Sequence, residues 1–166
     1  MTGEEDCLSL NIFNKHTGSS DLKPVMFWIH GGAFIFGAGS HYDPSPLLKE
    51  DVLVVTVNYR LGPLGFLTMG NDLAPGNLGL RDQILALEWV KTLIHYYGGD
   101  PNRVTIFGES AGGWSVSQQV VRIKSFHFFN PRKKILAQKI CTISNNHFQR
   151  CSFSRSCSSL QSIDYR

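Results

Sequence analysis

The sequence predicts an α/β fold: part of a doubly wound, mainly parallel sheet, carried by residues 1–121. Three observations predict it. Strand signals alternate with helix signals along these residues. Two strand signals are near-continuously apolar, as in strands covered on both faces. The order strand, crossover, strand, helix, strand, sharp turn, helix matches the right-handed winding of parallel sheets.

Residues 7–13 alternate leucine or isoleucine with polar residues, as a half-buried strand does. Residues 25–29 and 52–59 are the apolar, β-branched and aromatic runs expected of central strands. Between them HGGAFIFGAGS, starting at His30, reads as a glycine-rich loop, and residues 44–49 as a short helix with proline near its first turn. Leu80, Ile84, Leu87, Val90 and Ile94 recur at spacings of four, three, three and four, which predicts a helix over 80–97 with one apolar face. Gly98 and Gly99 end it, Asp100 and Pro101 turn the chain, and residues 104–107 form the next strand. No internal repeat is present.

The segment VTIFGESAGGW, from Val104, carries the chemistry. A strand-like run stops at Gly108, Ser110 stands between Gly108 and Gly112, and a helix-compatible stretch follows. A serine on a sharp strand-to-helix turn needs residues without side chains two positions to either side, because the strand and helix backbones crowd there. Ser110 is therefore the candidate nucleophile. With 16 glycines and 16 serines in 166 residues, a GxSxG arises by chance about 0.15 times in such a chain, so the surrounding sequence has to decide.

Composition narrows the alternatives. A chain of 166 residues is one domain's worth, long enough to bury a core. No apolar run reaches a membrane span, and the acidic start MTGEEDCLSLN lacks the apolar stretch of a signal peptide. Cys7, Cys141, Cys151 and Cys157 form no CxxC pair, so neither a metal nor a disulfide framework is expected. The net charge of +3 hides a split: residues 1–121 carry 7 Lys and Arg against 12 Asp and Glu, and residues 122–166 carry 9 against 1. All 16 glycines lie at or before Gly113. Residues 122–166 read as a basic, serine-rich, poorly ordered tail; Arg132, Lys133 and Lys134 are too short a patch, without a recognition motif, to predict nucleic-acid binding.

Five separated motifs, EDCLSLNIF from Glu5, FWIHGGAF from Phe27, VVTVNYRLGPLGFL from Val54, APGNLGLRDQILALEWV from Ala74 and YGGDPNRVTIFGESAGGWSVS from Tyr97, surround the serine. In this order and spacing they resemble the type-B carboxylesterases and cholinesterases of the α/β-hydrolase fold, over positions 5 to about 121. Departures are Ser9 where an aromatic is usual, Lys15 in place of a proline-like residue, and Ala33 in place of the third glycine of the loop.

The resemblance implies a carboxylic ester hydrolase that forms an acyl-enzyme on Ser110, acts on small-molecule esters and uses no cofactor or metal. It implies an oxyanion hole from the amides of Gly32, Ala33 and Ala111, with Gly31, Gly108 and Gly112 supporting loop and elbow. Residue chemistry supports the loop's role independently. An ester carbonyl becomes an oxyanion on attack, and backbone N–H groups stabilise it without adding charge. Ala33 is compatible, because its amide and not its side chain donates. His30 could be a base or part of the loop's scaffold, and its place in the resemblance favours the scaffold. Glu109 reads as a structural carboxylate; Arg60, Asp82 and Asp100 suit internal ion pairs; Trp28, Trp89 and Trp114 suit the core. Cys7 matches a cysteine that pairs with an upstream partner in the family, and no upstream cysteine is present.

Serine hydrolysis also needs a base and an acid, which in this fold follow the nucleophile in the order acid, then histidine. After Ser110 the chain offers His127, His147 and one carboxylate, Asp164, which comes last. The sequence thus predicts an incomplete, inactive hydrolase, cut at both ends, with its strand at 104–107 as an unpaired edge and poor solubility as the consequence. The resemblance further implies an extracellular setting. A non-catalytic, neuroligin-like binding module is the alternative, against which the intact GESAG stands.

Overall fold

A computed structural model describes residue 4, residues 6–15 and residues 21–125, with side chains up to residue 121. Its element order is β1 (Leu10–Phe13), β2 (Lys23–Ile29), β3 (Leu53–Val57), α1 (Gly62–Phe66), β4 (Thr68–Asn71), β5 (Ala74–Pro75), α2 (Leu78–Leu93), β6 (Gly99–Gly108) and α3 (Ala111–Ser125). The main sheet has the order β1-β3-β2-β6, with β2 parallel to β3 and β6, and β1 antiparallel to β3. The apolar runs at 25–29 and 52–59 thus occupy the centre, and among the described residues β6 closes one end.

Register explains the core. Val25, Phe27 and Ile29 stand level with Leu53, Val55 and Val57 on one side, and Val25 and Phe27 with Val104 and Ile106 on the other. These residues share one sheet face, where Leu87, Val90 and Ile94 from the α2 segment and Val116 of α3 pack on them. The helical period read from Leu80 to Ile94 is this contact. The opposite face carries Trp28, Thr56 and Phe107, and Tyr42 packs edge-on against Trp28 with ring centres 5.0 Å apart. Buried polar groups tie α2 to α3: Gln83 Nε2 donates to Ser115 Oγ at 3.1 Å, and Gln119 Nε2 to Gln83 Oε1 at 2.9 Å.

Several boundaries differ from those the sequence suggests. The first strand is only Leu10–Phe13, and the expected helix at 44–49 is a 3-10 turn, Leu47–Glu50, where the N–H groups of Leu47 and Leu48 both turn back to Pro44 O. The helix expected over 80–97 starts at Leu78 and tightens to 3-10 at Ile94–Tyr97, where left-handed Gly98 stops it. Pro63 starts the unforeseen α1, and an unforeseen hairpin, β4–β5, follows. Helix α3 continues past residue 121 to Ser125; the tail beyond it, with His127, Cys141, His147, Cys151, Cys157 and Asp164, lies outside the described residues. No described helix is long and apolar enough to cross a membrane.

Candidate active site

Strand β6 ends at Gly108 and α3 begins at Ala111, so Glu109 and Ser110 alone make the reversal. Ser110 takes φ +53°, a left-handed conformation that costs a side-chain-bearing residue about 1–2 kcal/mol. The N–H of Gly112 donates to Glu109 O at 2.8 Å, and that of Trp114 to Ser110 O at 3.0 Å, which hold the turn. Ser110 is exposed at its tip, at the N-terminus of a helix whose free N–H groups favour negative charge.

The space around the turn is tight. A β-carbon on Gly108 would lie 2.6 Å from both Gly112 C and Ile29 O, and one on Gly112 would overlap Ile29 O and lie 2.8 Å from His30 O. Strands β2 and β6 and helix α3 therefore meet backbone to backbone. Gly31, first after His30, is buried against the turn: a β-carbon there would lie 2.8 Å from Glu109 O and 3.1 Å from Ser110 Cβ, and would overlap the Glu109 carboxylate.

The loop after β2 then runs through three consecutive left-handed residues, Gly32 (φ +103°), Ala33 (+53°) and Phe34 (+63°). Ile35 and Phe36 donate their N–H groups back to Gly32 O at 2.9 and 3.1 Å, and Phe34 O accepts from Gly62 N–H at 2.6 Å. Among the described residues, the N–H groups of Gly32, Ala33 and Ala111 enter none of the turn, loop and cap hydrogen bonds.

Beneath the loop lies a polar anchor that sequence reading missed. Tyr59 is buried and its OH donates to His30 O at 2.8 Å; His30 Nδ1 lies 2.8 Å from Gly31 O, and the two rings stack at 4.4 Å. Burial lowers the His30 pKa, keeping the ring neutral with its Nδ1–H donated to Gly31 O. Burial first, then the neighbouring Tyr42, raises the Tyr59 pKa, so its hydroxyl stays a donor. Because a trans peptide points C=O and N–H in opposite directions, fixing Gly31 O also fixes the direction of Gly32 N–H. His30 thus belongs to the loop's scaffold. Burial raises the pKa of the neighbouring Tyr42, so its hydroxyl too stays protonated. Tyr59 and His30 lie 29 residues apart, and only the VNYR text around Tyr59 could have drawn attention to it.

The remaining residues fall into place by their contacts. Asp82 is buried and takes Arg60 bidentately, with Nε and Nη2 each at 2.8 Å and the Arg60 N–H at 3.0 Å. Asp100 pairs with Arg103 at 2.8 Å on the approach to β6. Trp28 is buried and Trp89 packs against the core, but Trp114 is 51% exposed, which corrects its expected core position. It lies on the outer side of the first turn of α3, while Ser115, Val116 and Gln119 take the inner side. The other described histidines, His41 and His95, are exposed, and no cluster of three His, Cys, Asp or Glu able to hold a metal occurs among the described residues.

An exposed serine on a strand-to-helix turn, with the glycine loop of the neighbouring parallel strand packed against it, defines the α/β-hydrolase class. The carboxylesterase family pattern matches residues 1–149, past the change of composition near 121, and the chain belongs to that family. It is 56% identical over 118 residues to the para-nitrobenzyl esterase of Bacillus subtilis, covering 68% of this chain and 24% of that protein. It is 44% identical over 149 residues to venom carboxylesterase-6 of Apis mellifera, covering 89% of this chain and 25% of that one. A solved thermophilic PNB esterase superposes with a TM-score of 0.65 at 55% identity, over 69% of this chain and 24% of that structure's chain. The chain thus spans about a quarter of the length of these relatives.

Proposed function

We propose that this chain carries the nucleophile and the oxyanion donors of a carboxylic ester hydrolase acting on small-molecule esters. Ser110 Oγ attacks the ester carbonyl carbon while its proton passes to a general base, an imidazole in the usual serine-hydrolase pattern, outside the described residues. The carbonyl π pair moves onto oxygen, where the amides of Gly32, Ala33 and Ala111 receive the charge. Collapse breaks the bond to the alcohol oxygen, which takes the proton; water then releases the acyl group by the same steps.

One observation carries this reading: Ser110 sits exposed at a left-handed turn with Gly31 packed directly on it, which brings two free-amide segments to one nucleophile. The venom name of the Apis mellifera relative supports an extracellular setting. The intact serine and its strained turn favour catalysis over a purely adhesive role.

A fluorophosphonate probe tests it on the soluble, folded chain. Mass analysis should place the adduct on Ser110, and Ser110→Ala should abolish it. If no base reaches Ser110, labelling should be orders of magnitude slower than in a complete hydrolase, because removing the histidine of a serine protease costs about 10⁶-fold in kcat. Folded protein that resists the probe altogether would remove the hydrolase reading for this chain.

A further inference from the structure

We infer that the ion pair of Asp82 and Arg60 is a positioning device for the glycine loop: it holds the segment after β3 that aims the Ala33 amide. The use of that amide as an oxyanion donor rests on the hydrolase reading, whereas its placement does not.

Residues 59–62, which follow β3, grip the loop at both ends. Tyr59 OH donates to His30 O at 2.8 Å, ahead of the two glycines, and Gly62 N–H donates to Phe34 O at 2.6 Å, directly after Ala33. The second bond reaches Ala33 through two peptide planes. A trans peptide points its C=O and N–H in opposite directions, so fixing Phe34 O fixes the N–H of Ile35. That N–H donates to Gly32 O at 2.9 Å, and fixing Gly32 O directs the N–H of Ala33 in the same way. Gly62 thus does for Ala33 what His30 does for Gly32 through Gly31 O. Its φ is +56°, and a β-carbon there would meet nothing within 4 Å, so this glycine answers to the backbone angle and not to crowding.

What places Gly62 is Arg60, two residues before it. Asp82 takes the Arg60 N–H at 3.0 Å and its Nε and Nη2 at 2.8 Å each, so one carboxylate fixes backbone and side chain together. Gly79, three residues earlier in α2, closes on the other backbone group: a β-carbon there would lie 2.4 Å from Arg60 O. Both polar groups of the Arg60 backbone therefore end against one helix. The Asp82 side chain is buried, with Arg60 one-third exposed over it. Such a pair regains in attraction about what it loses in desolvation, so its contribution here is direction more than stability.

Two probes of Ser110 that differ in one atom read the Ala33 amide apart from folding. A fluorophosphonate turns its P=O oxygen to the oxyanion donors as Ser110 Oγ displaces fluoride; its thiono analogue turns a sulfur there, a weak hydrogen-bond acceptor. In Asp82→Asn the P=O probe should label the folded chain about 10- to 100-fold more slowly, and the P=S probe should lose much less, since outright removal of an oxyanion donor costs about 10²–10³-fold. Arg60→Lys keeps the charge without the fork; its loss should be intermediate, and it serves as the second variant if Asp82→Asn does not fold. A pair that only stabilised the fold would change the folded fraction and slow both probes equally. Amide hydrogen exchange reads the placement without chemistry: relative to Phe27 in the central strand β2, Gly62 and Ile35 should exchange faster in either variant than in the unaltered chain. An unchanged preference for P=O over P=S, or Gly62 and Ile35 amides that keep step with Phe27, would overturn the inference. An unaltered chain that neither probe labels, with exchange that still follows Asp82, would sink the nucleophile reading and sustain the placement.

Discussion

Gly108→Ala separates two accounts of the glycine before the elbow by the sign of its effect. A glycine inside a strand costs about 0.5–1 kcal/mol relative to alanine, so an uncrowded Gly108 would make the substitution stabilising. In the structure the new β-carbon lies 2.6 Å from Ile29 O and from Gly112 C, against ordinary contact at 3.4 Å or more. About 0.8 Å of separation is needed in two directions. Neither neighbour yields cheaply. Ile29 is bracketed in register between Val57 and Gly108, so shifting its carbonyl strains a central ladder, and moving Gly112 lifts α3 and its Val116 off the core. One weakened ladder bond, about 1 kcal/mol, plus overpacking of about 1–3 kcal/mol, less the gain of about 0.5–1 kcal/mol from replacing a strand glycine, gives a net loss of about 1–3 kcal/mol. Urea unfolding followed by circular dichroism should show it as a midpoint lower by about 1–2 M, with the slope unchanged. Fluorophosphonate labelling of the folded fraction should also fall by about 10²-fold, since a misplacement of about 1 Å costs that much. A midpoint that rises, with labelling intact, would refute the crowding argument.

Other substitutions probe the loop. Tyr59→Phe removes the donor to His30 O and leaves a buried carbonyl unpaired; it should cost about 1–2 kcal/mol in the same unfolding assay and slow labelling of Ser110. Ala33→Gly should instead stabilise by about 0.5–1 kcal/mol, because relief of a left-handed alanine outweighs glycine's extra chain entropy; an unchanged or lower midpoint would contradict it. The lowered pKa of His30 predicts an acid-labile fold. Below about pH 6.5 the unfolded chain binds a proton that the folded chain does not, so stability should fall with decreasing pH at up to about 1.4 kcal/mol per unit until the lowered folded pKa is reached. His30→Asn should flatten that slope, which urea midpoints between pH 7 and pH 5 would measure.

Burial on both faces made β2 and β3 legible as unbroken apolar runs, and the one-sided contact of α2 with the sheet made its helix legible through its period. The elements left unread lack such a signal. In α1 and the β4–β5 hairpin, Leu64, Leu67, Met69 and Leu73 are all exposed while Phe66 packs inward, so the apolar residues mark no periodic buried face and GPLGF reads as a loop. Trp114 misleads for a related reason: hydrophobicity places a tryptophan inside, but the turn geometry of α3 puts this one on the outer side. At the site, Ser110 and its flanking glycines are local text, whereas the anchor of Tyr59, His30 and Gly31 is assembled across the fold and has no local pattern.

The register of β2 against β6 turns these separate segments into one site. Parallel strands finish at the same sheet edge, so the loop leaving β2 and the elbow leaving β6 emerge side by side without a long connection between them. The pairing of Ile29 with Gly108 sets Gly31 level with Ser110, and a slip of one residue would displace one segment by about 3.3 Å and turn every core side chain to the wrong face. Val25 and Phe27 of β2, packed beside Val104 and Ile106 of β6, forbid that slip. The proposed oxyanion geometry is therefore held by apolar packing a few residues below it, and the glycines allow the backbones to close the remaining distance. A side chain at Gly31, Gly108 or Gly112 would leave the register intact and still open the site, which is why a residue with no functional group of its own belongs among the candidates for function.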